Sequence, residues 1–154
     1  MPVKMHFINY AQIEWSGIWD MEAEESLKTV KQAPAKTMKA NGQETLWIDQ
    51  EKLSWWTAGN YNCSCMWQAT DGSNDVFGTS VHVPLRWTWF GAAPYWGFGI
   101  QNAQRAWGWT DPAPDQGAPL TLKTPSGFEI RITPTCSSTE VDLEVTISKL
   151  LPGH

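Results

Sequence analysis

Between Pro84 and Trp109 the chain gathers Trp87, Trp89, Phe90, Tyr95, Trp96, Phe98, Trp107 and Trp109. Trp87/Trp89 and Trp107/Trp109 are each two residues apart, so each pair shares one side of an extended backbone. Rings in this density suit binding, not bond-making. Tryptophan and tyrosine settle at a membrane interface, apolar body inward and polar edge among the headgroups. Their faces also stack on sugar rings and attract quaternary ammonium through cation–π contact. A choline headgroup would use both properties. Gly91, Pro94, Gly97 and Gly108 interrupt the belt, and such punctuation marks loops, which run over the surface. The chain holds 11 tryptophans, far above average usage. One or two can anchor a β-sandwich core. A domain of this size cannot easily bury them all, so part of the belt is expected to form an exposed interaction patch. Trp47, Trp55, Trp56 and Tyr61 form a second aromatic group, which either extends that surface or fills the core.

Residues able to make and break bonds are scattered. His6, His82 and His154 have no metal-ligand spacing with one another. Cys63-x-Cys65 lacks the C-x-x-C interval of zinc and redox sites, and both residues read as small apolar core positions on one strand face. Cys136 is expected in a turn. Glu24-Glu25 and the Asp142/Glu144 pair read as solvated carboxylates, not as a general acid and base. No nucleophile elbow, zincin helix or phosphate loop occurs, and Gly97-Phe98-Gly99 is only G-x-G. The expectation is a protein that is not an enzyme, with no cofactor and no metal.

The net charge is −5, and no two basic residues are adjacent. Nucleic-acid binders need a basic stripe to neutralise phosphates, so nucleic acid is excluded as an expected partner. Strong electrostatic attraction to anionic lipid needs polybasic clusters, and these are missing too. The opening MPVKMHFINY lacks the pattern of a signal peptide, and no apolar run approaches the length needed to span a bilayer. Synthesis in the cytoplasm is expected, with later release and a peripheral place on target membranes left open. Three cysteines make an odd count, so no complete disulfide framework is expected.

The belt must be held by strands. Val141, Leu143, Val145 and Ile147 alternate with polar residues from Glu140 to Ser148, the period of a half-buried strand. Phe128, Ile130 and Ile132 alternate likewise, and the turn-rich stretch Pro134–Thr139 suggests that the two runs pair antiparallel. Shorter alternations occur at Met5–Phe7, Leu46–Ile48, Cys63–Gln68 and Val76–Val83. Asn41-Gly42, Gly59-Asn60, Asp71-Gly72-Ser73-Asn74, Asp111-Pro112 and Pro125-Ser126-Gly127 are turn signals, and 112–119 reads as a loop. Only Asp20–Lys31 carries a weak helical stripe. The expected architecture is all-β, an antiparallel β-sandwich with at most one or two short helices, forming a single domain over 1–154.

The segment Val83–Gly91, VPLRWTWFG, resembles the signature of the actinoporins, pore-forming cytolysins of sea anemones, and their relatives. The resemblance implies that Pro84 ends a strand and that Trp87, Trp89 and Phe90 face a phosphocholine-bearing membrane. Arg86 departs from the acidic residue usual in that family, and 91–100 is longer than its compact run. The chain also begins almost directly on its first strand, where the family carries an amphipathic pore-lining helix. Docking to lipid or glycan is therefore implied, and not a pore built by this chain alone. The wider group includes fungal fruit-body lectins, and the small Trp-rich aegerolysins are similar in general character. The expected function is recognition of phosphocholine-type headgroups. Pro84, Trp87, Trp89, Phe90, Tyr95 and Trp96 would meet the membrane, and Trp107 and Trp109 would support or cup the headgroup. One alternative is a soluble lectin that stacks sugars on the same rings. Another is an assembly module that buries its tryptophans against a partner chain or a second copy.

Overall fold

The computed structural model describes residues 3–18, 29–49, 60–84, 97–102, 108–110, 119–136 and 141–150. Among them are twelve strands and no helix: β1 (Val3–Asn9), β2 (Trp15–Gly17), β3 (Thr29–Gln32), β4 (Thr37–Met38), β5 (Gln43–Asp49), β6 (Asn60–Ala69), β7 (Val76–Pro84), β8 (Gly97–Asn102), β9 (Gly108–Thr110), β10 (Leu120–Lys123), β11 (Phe128–Cys136) and β12 (Val141–Lys149). They form two six-stranded sheets, ordered β10-β11-β12-β1-β5-β3 and β4-β2-β6-β7-β8-β9. The all-β class is as expected. So is the antiparallel β11–β12 pair, which joins Phe128 to Lys149 at one end and Cys136 to Val141 at the other.

Alternation explains how the sheets face each other. Val3, Met5 and Phe7 of β1 are fully buried, as are Leu143, Val145 and Ile147 of β12. In the second sheet Cys65, Trp67, Phe77 and Thr79 are fully buried. Contacts cross between the sheets: the Thr79 hydroxyl donates to Met5 Sδ at 3.4 Å, and Phe7 meets Trp67 edge-to-face at 5.4 Å. The two sheets therefore pack as a sandwich around one core, the arrangement in which both inner faces escape water.

Four details differ from the sequence reading. β1 pairs parallel with β12, Val3 beside Val141 through Asn9 beside Ile147, so the sandwich is antiparallel except at that seam. Thr29–Lys31, the end of the helical stripe, lie in β3, which pairs with β5 across a register shift between Val30 and Gln32. The rest of that stripe lies outside the described residues. Pro134–Cys136 belong to β11, not to a turn. A proline fits there because β10 reaches only as far as the Leu120–Ile132 pair, leaving no ladder partner for an N–H on that side. Asn60 opens β6 and pairs with Pro84.

One end of the sandwich is stitched by side chains. Asn9 is buried, and its Nδ2 donates to the carbonyls of Ile13 at 2.8 Å and Lys39 at 2.9 Å. Its Oδ1 accepts the Ala11 N–H at 3.1 Å. The Asn41-Gly42 turn beside it has Asn41 at φ 56°, a left-handed position that asparagine tolerates. A side chain at Gly42 would start 2.9 Å from the Lys39 carbonyl oxygen. Across the same end, Asp75 accepts the Ser126 N–H and hydroxyl, both at 3.0 Å, which ties the β6–β7 turn to the β10–β11 turn.

Two outcomes follow for this end. Asn9→Ala strips three hydrogen bonds from the backbone of Ala11, Ile13 and Lys39, of which Ala11 is buried, and should lower unfolding free energy by about 1–3 kcal/mol in urea titration. A change within about 0.5 kcal/mol would mean that those backbone groups are satisfied another way. Asp71 is exposed, and the Ser73 hydroxyl and backbone N–H, both donating to it, hold its carboxyl below the usual carboxylate range. A depressed carboxyl stabilises the fold above its unfolded value, near pH 4, and loses that contribution as pH falls through the folded value. Asp71→Asn should therefore cost a few tenths of a kcal/mol at pH 7, given solvent screening. The gap to wild type should close in acid melting curves.

Candidate binding site

The frame of the site is the other end of the second sheet. Asn60, the first residue of β6, pairs with Pro84, the last of β7. His82 pairs with Gly97, the first residue of β8, and Phe98 pairs with Thr110, the last of β9. The connections 50–59, 85–96 and 111–118 therefore all attach to one margin of the sheet. In the sequence the first two carry Trp55, Trp56, Trp87, Trp89, Phe90, Tyr95 and Trp96, which lie outside the described residues. Pro84 closes β7 where the ladder ends, a position that suits a residue without an N–H.

The rest of the belt belongs elsewhere in the chain path. Trp109 is a residue of β9, paired with Gly99. Trp107 lies outside the described residues, in the connection from Asn102 to Gly108. Asn102 is level with Phe77, near the opposite end of the sheet.

Where aromatic side chains are described, most serve the core. Phe7, Trp15, Trp67, Phe77 and Phe128 are fully buried. Trp15 meets Phe77 and Phe128 edge-to-face, each at 5.1 Å, and so pins the second sheet against β11 of the first. Such pairs add about 0.5–1.5 kcal/mol beyond area burial. The indole Nε1 atoms of Trp15 and Trp67 are buried with no hydrogen-bond acceptor among the described residues. Leaving a buried donor unmet costs about 1–3 kcal/mol, and ring burial must outweigh that. Trp47, from the second aromatic group, is half-buried on the outer face of the first sheet, with Lys4 Nζ 4.7 Å from its ring centroid. Tyr61 is a residue of β6 opposite Val83.

Among the described residues the candidate chemical side chains do not converge. Cys65 is buried in the core, the role expected of it, and Cys63 is two residues along the same strand. Cys136 ends β11 opposite Val141, not in a turn. His6 Nε2 lies 3.3 Å from Asp142 Oδ1, and its Nδ1 lies 3.2 Å from Thr45 Oγ1. This cross-strand chain sits half-exposed on the outer face of the first sheet, and Glu144 beside it is exposed. Among the described residues no three His, Cys, Asp or Glu side chains are grouped to hold a metal.

Sequence reading had not singled out Trp15, the hub of the core cluster. The only signal was a large aromatic next to small residues, since a three-residue strand is too short to show a period. No protein-family model matches the chain, and no curated protein is similar to it in sequence.

Core and belt tryptophans should behave differently. Trp67→Ala removes the partner of Phe7 and should lower stability by about 3–5 kcal/mol in chemical denaturation. Trp87→Ala, if its ring serves a surface, should change stability by less than about 0.5 kcal/mol. A core-sized loss at Trp87 would count that ring as structural.

Proposed function

We propose that this protein binds membrane lipid through phosphocholine-type headgroups and catalyses no reaction in doing so. Trp87, Trp89, Phe90, Tyr95 and Trp96 enter the interface, Pro84 sets their departure from β7, and Trp109 supports them from β9. One observation carries the reading: Asn60, Pro84, Gly97 and Thr110 share one margin of the second sheet, and two of the three connections attached there, 50–59 and 85–96, hold seven of the chain's aromatic residues. Aromatic side chains gathered at one end of a sandwich suit an interface that accepts ring bodies and leaves polar edges wet. The VPLRWTWFG segment supplies the headgroup preference, through its resemblance to the actinoporin-like cytolysins and fruit-body lectins, with aegerolysins as the next nearest likeness. Trp107, which lies outside the described residues, is not included in this set.

The test is tryptophan emission during titration with vesicles of phosphatidylcholine, with and without sphingomyelin. Trp15 and Trp67 are already fully buried, so a blue shift on adding vesicles reports on the other rings. A saturating blue shift is expected, lost in the Trp87→Ala/Trp89→Ala double variant while its β circular dichroism stays intact. No shift with either vesicle would overturn the lipid reading. Competition by free sugar would favour the lectin alternative, with the same rings stacking on saccharides.

A further inference from the structure

Strand ends fix which connections share an end of the sandwich. Val3 of β1 is level with Ile48 of β5 and with Val141 of β12. Cys136, the last residue of β11, also pairs with Val141, so the connection 137–140 belongs to this end. Thr29, the first residue of β3, pairs with Asp49, the last of β5, so 19–28 arrives here and 50–59 leaves. In the second sheet, 85–96 and 111–118 depart from Pro84 and Thr110. Two contacts between the sheets set both margins at the same end. Phe7 meets Trp67, which is level with Phe77. Two residues nearer Val3, Met5 meets Thr79, which is two residues nearer Pro84. Formal charge divides by these ends. The residues of the five connections lie outside the described set, but their place in the sequence gives the count. They hold four carboxylates between Asp20 and Glu25, with Glu51, Asp111, Asp115 and Glu140, against Lys28, Lys52 and Arg86. The difference is −5, the net charge of the whole chain, and the rest of the sequence balances eight acidic against eight basic residues. The charge and the aromatic connections therefore belong to one end, to which 19–28 adds Trp19.

We propose that this segregation sets the class of lipid: the protein docks on zwitterionic phosphocholine surfaces and is repelled by anionic ones. The inference rests on the lipid reading and narrows it. An anionic leaflet holds a surface potential of about −30 mV at physiological ionic strength. Rings that enter the interface bring the chain bonded to them within the Debye length of ~8 Å, where that potential is little screened. The docking end then meets the membrane with an excess of carboxylates. Spread evenly, the same net charge would place only part of that excess at the contact. Gathered at one end, it also turns the molecule, because the field of an anionic surface favours approach by the balanced, stitched end. Phosphatidylcholine reverses the balance. It carries no net charge, and its outermost group is a trimethylammonium, which carboxylates attract by charge and ring faces attract by cation–π contact.

Vesicle co-sedimentation tests it, with phosphatidylcholine alone and with roughly a third of it replaced by phosphatidylserine. At low salt wild type should bind the mixed vesicles at least about tenfold more weakly. That ratio should shrink as added salt shortens the Debye length. Glu22→Gln/Glu24→Gln/Glu25→Gln should narrow the ratio at least about threefold and leave affinity for pure phosphatidylcholine within about twofold. Glu14→Gln/Asp71→Asn/Glu129→Gln removes as many carboxylates near the stitched end, from the connection before β2, the β6–β7 turn and the start of β11. This second triple should leave the ratio unchanged. Circular dichroism verifies each fold, and if the first triple fails to fold, Asp111→Asn/Asp115→Asn/Glu140→Gln takes its place. Equal affinity for the two vesicles overturns the proposal and leaves the lipid reading standing. So does a ratio that is insensitive to salt or that moves as far with the stitched-end triple. Absence of binding to phosphatidylcholine itself overturns both.

Discussion

β1 is the strand on which the first sheet depends. It alone joins the β10-β11-β12 half to the β5-β3 half, pairing parallel with β12 on one side and antiparallel with β5 on the other. A parallel pair cannot be closed by a hairpin; it needs a crossover connection. Here that crossover is nearly the whole chain, including every strand of the second sheet. The inward residues of β1 then supply the first sheet's half of the core, with Met5 under Thr79 and Phe7 under Trp67. Remove this strand and the two halves lose each other as well as their contact with the facing sheet. Such non-local pairing carries a loop-closure cost before any contact repays it, and folds built on it form slowly.

The two ends of the sandwich are unlike in consequence. At the stitched end, short turns meet through Asn9 and through Asp75 with Ser126, so the sheets are fixed to each other by buried polar contacts as well as by packing. At the other margin, Asn60, Pro84, Gly97 and Thr110 mark where long connections attach. A frame braced at one end can carry long connections at the other without relying on them for its core. Trp15 shows the same division: its ring is spent on holding β2 against Phe77 and Phe128. Tryptophan in this chain thus has a structural use in the described core.

Much of the frame was legible because long strands write a period of two into the sequence. β12, β11, β7 and the middle of β6 could each be read from alternation, and the Asn41-Gly42 and Asp71–Asn74 turns from their residue types. Strands of two to four residues, such as β2, β3 and β4, are too short to repeat anything. Val30 in β3 was mistaken for part of a helical stripe for that reason. Pro134 misled because a proline reads as a strand breaker, whereas in β11 it stands where the neighbouring strand has stopped. The parallel seam was invisible, since pleat and hydropathy look the same whichever way the partner runs. Of the candidate site, sequence supplied the residues but not their pairing: only the β8–β9 register sets Phe98 opposite Thr110 and Trp109 opposite Gly99.

Because the chain's first and last described strands run parallel, its two described ends lie at opposite ends of the sandwich, and this gives the molecule a usable polarity. Val3 begins β1 level with Ile48 and Val141, whereas Leu150 leaves β12 at the stitched end, its N–H bonded to the Gly127 carbonyl at 2.8 Å. A surface tether added beyond Leu150 would therefore hold the protein by its braced end and present the opposite end to solution. A tether placed before Val3 would do the reverse. On a sensor chip or a bead, the choice of tether decides which end an analyte meets.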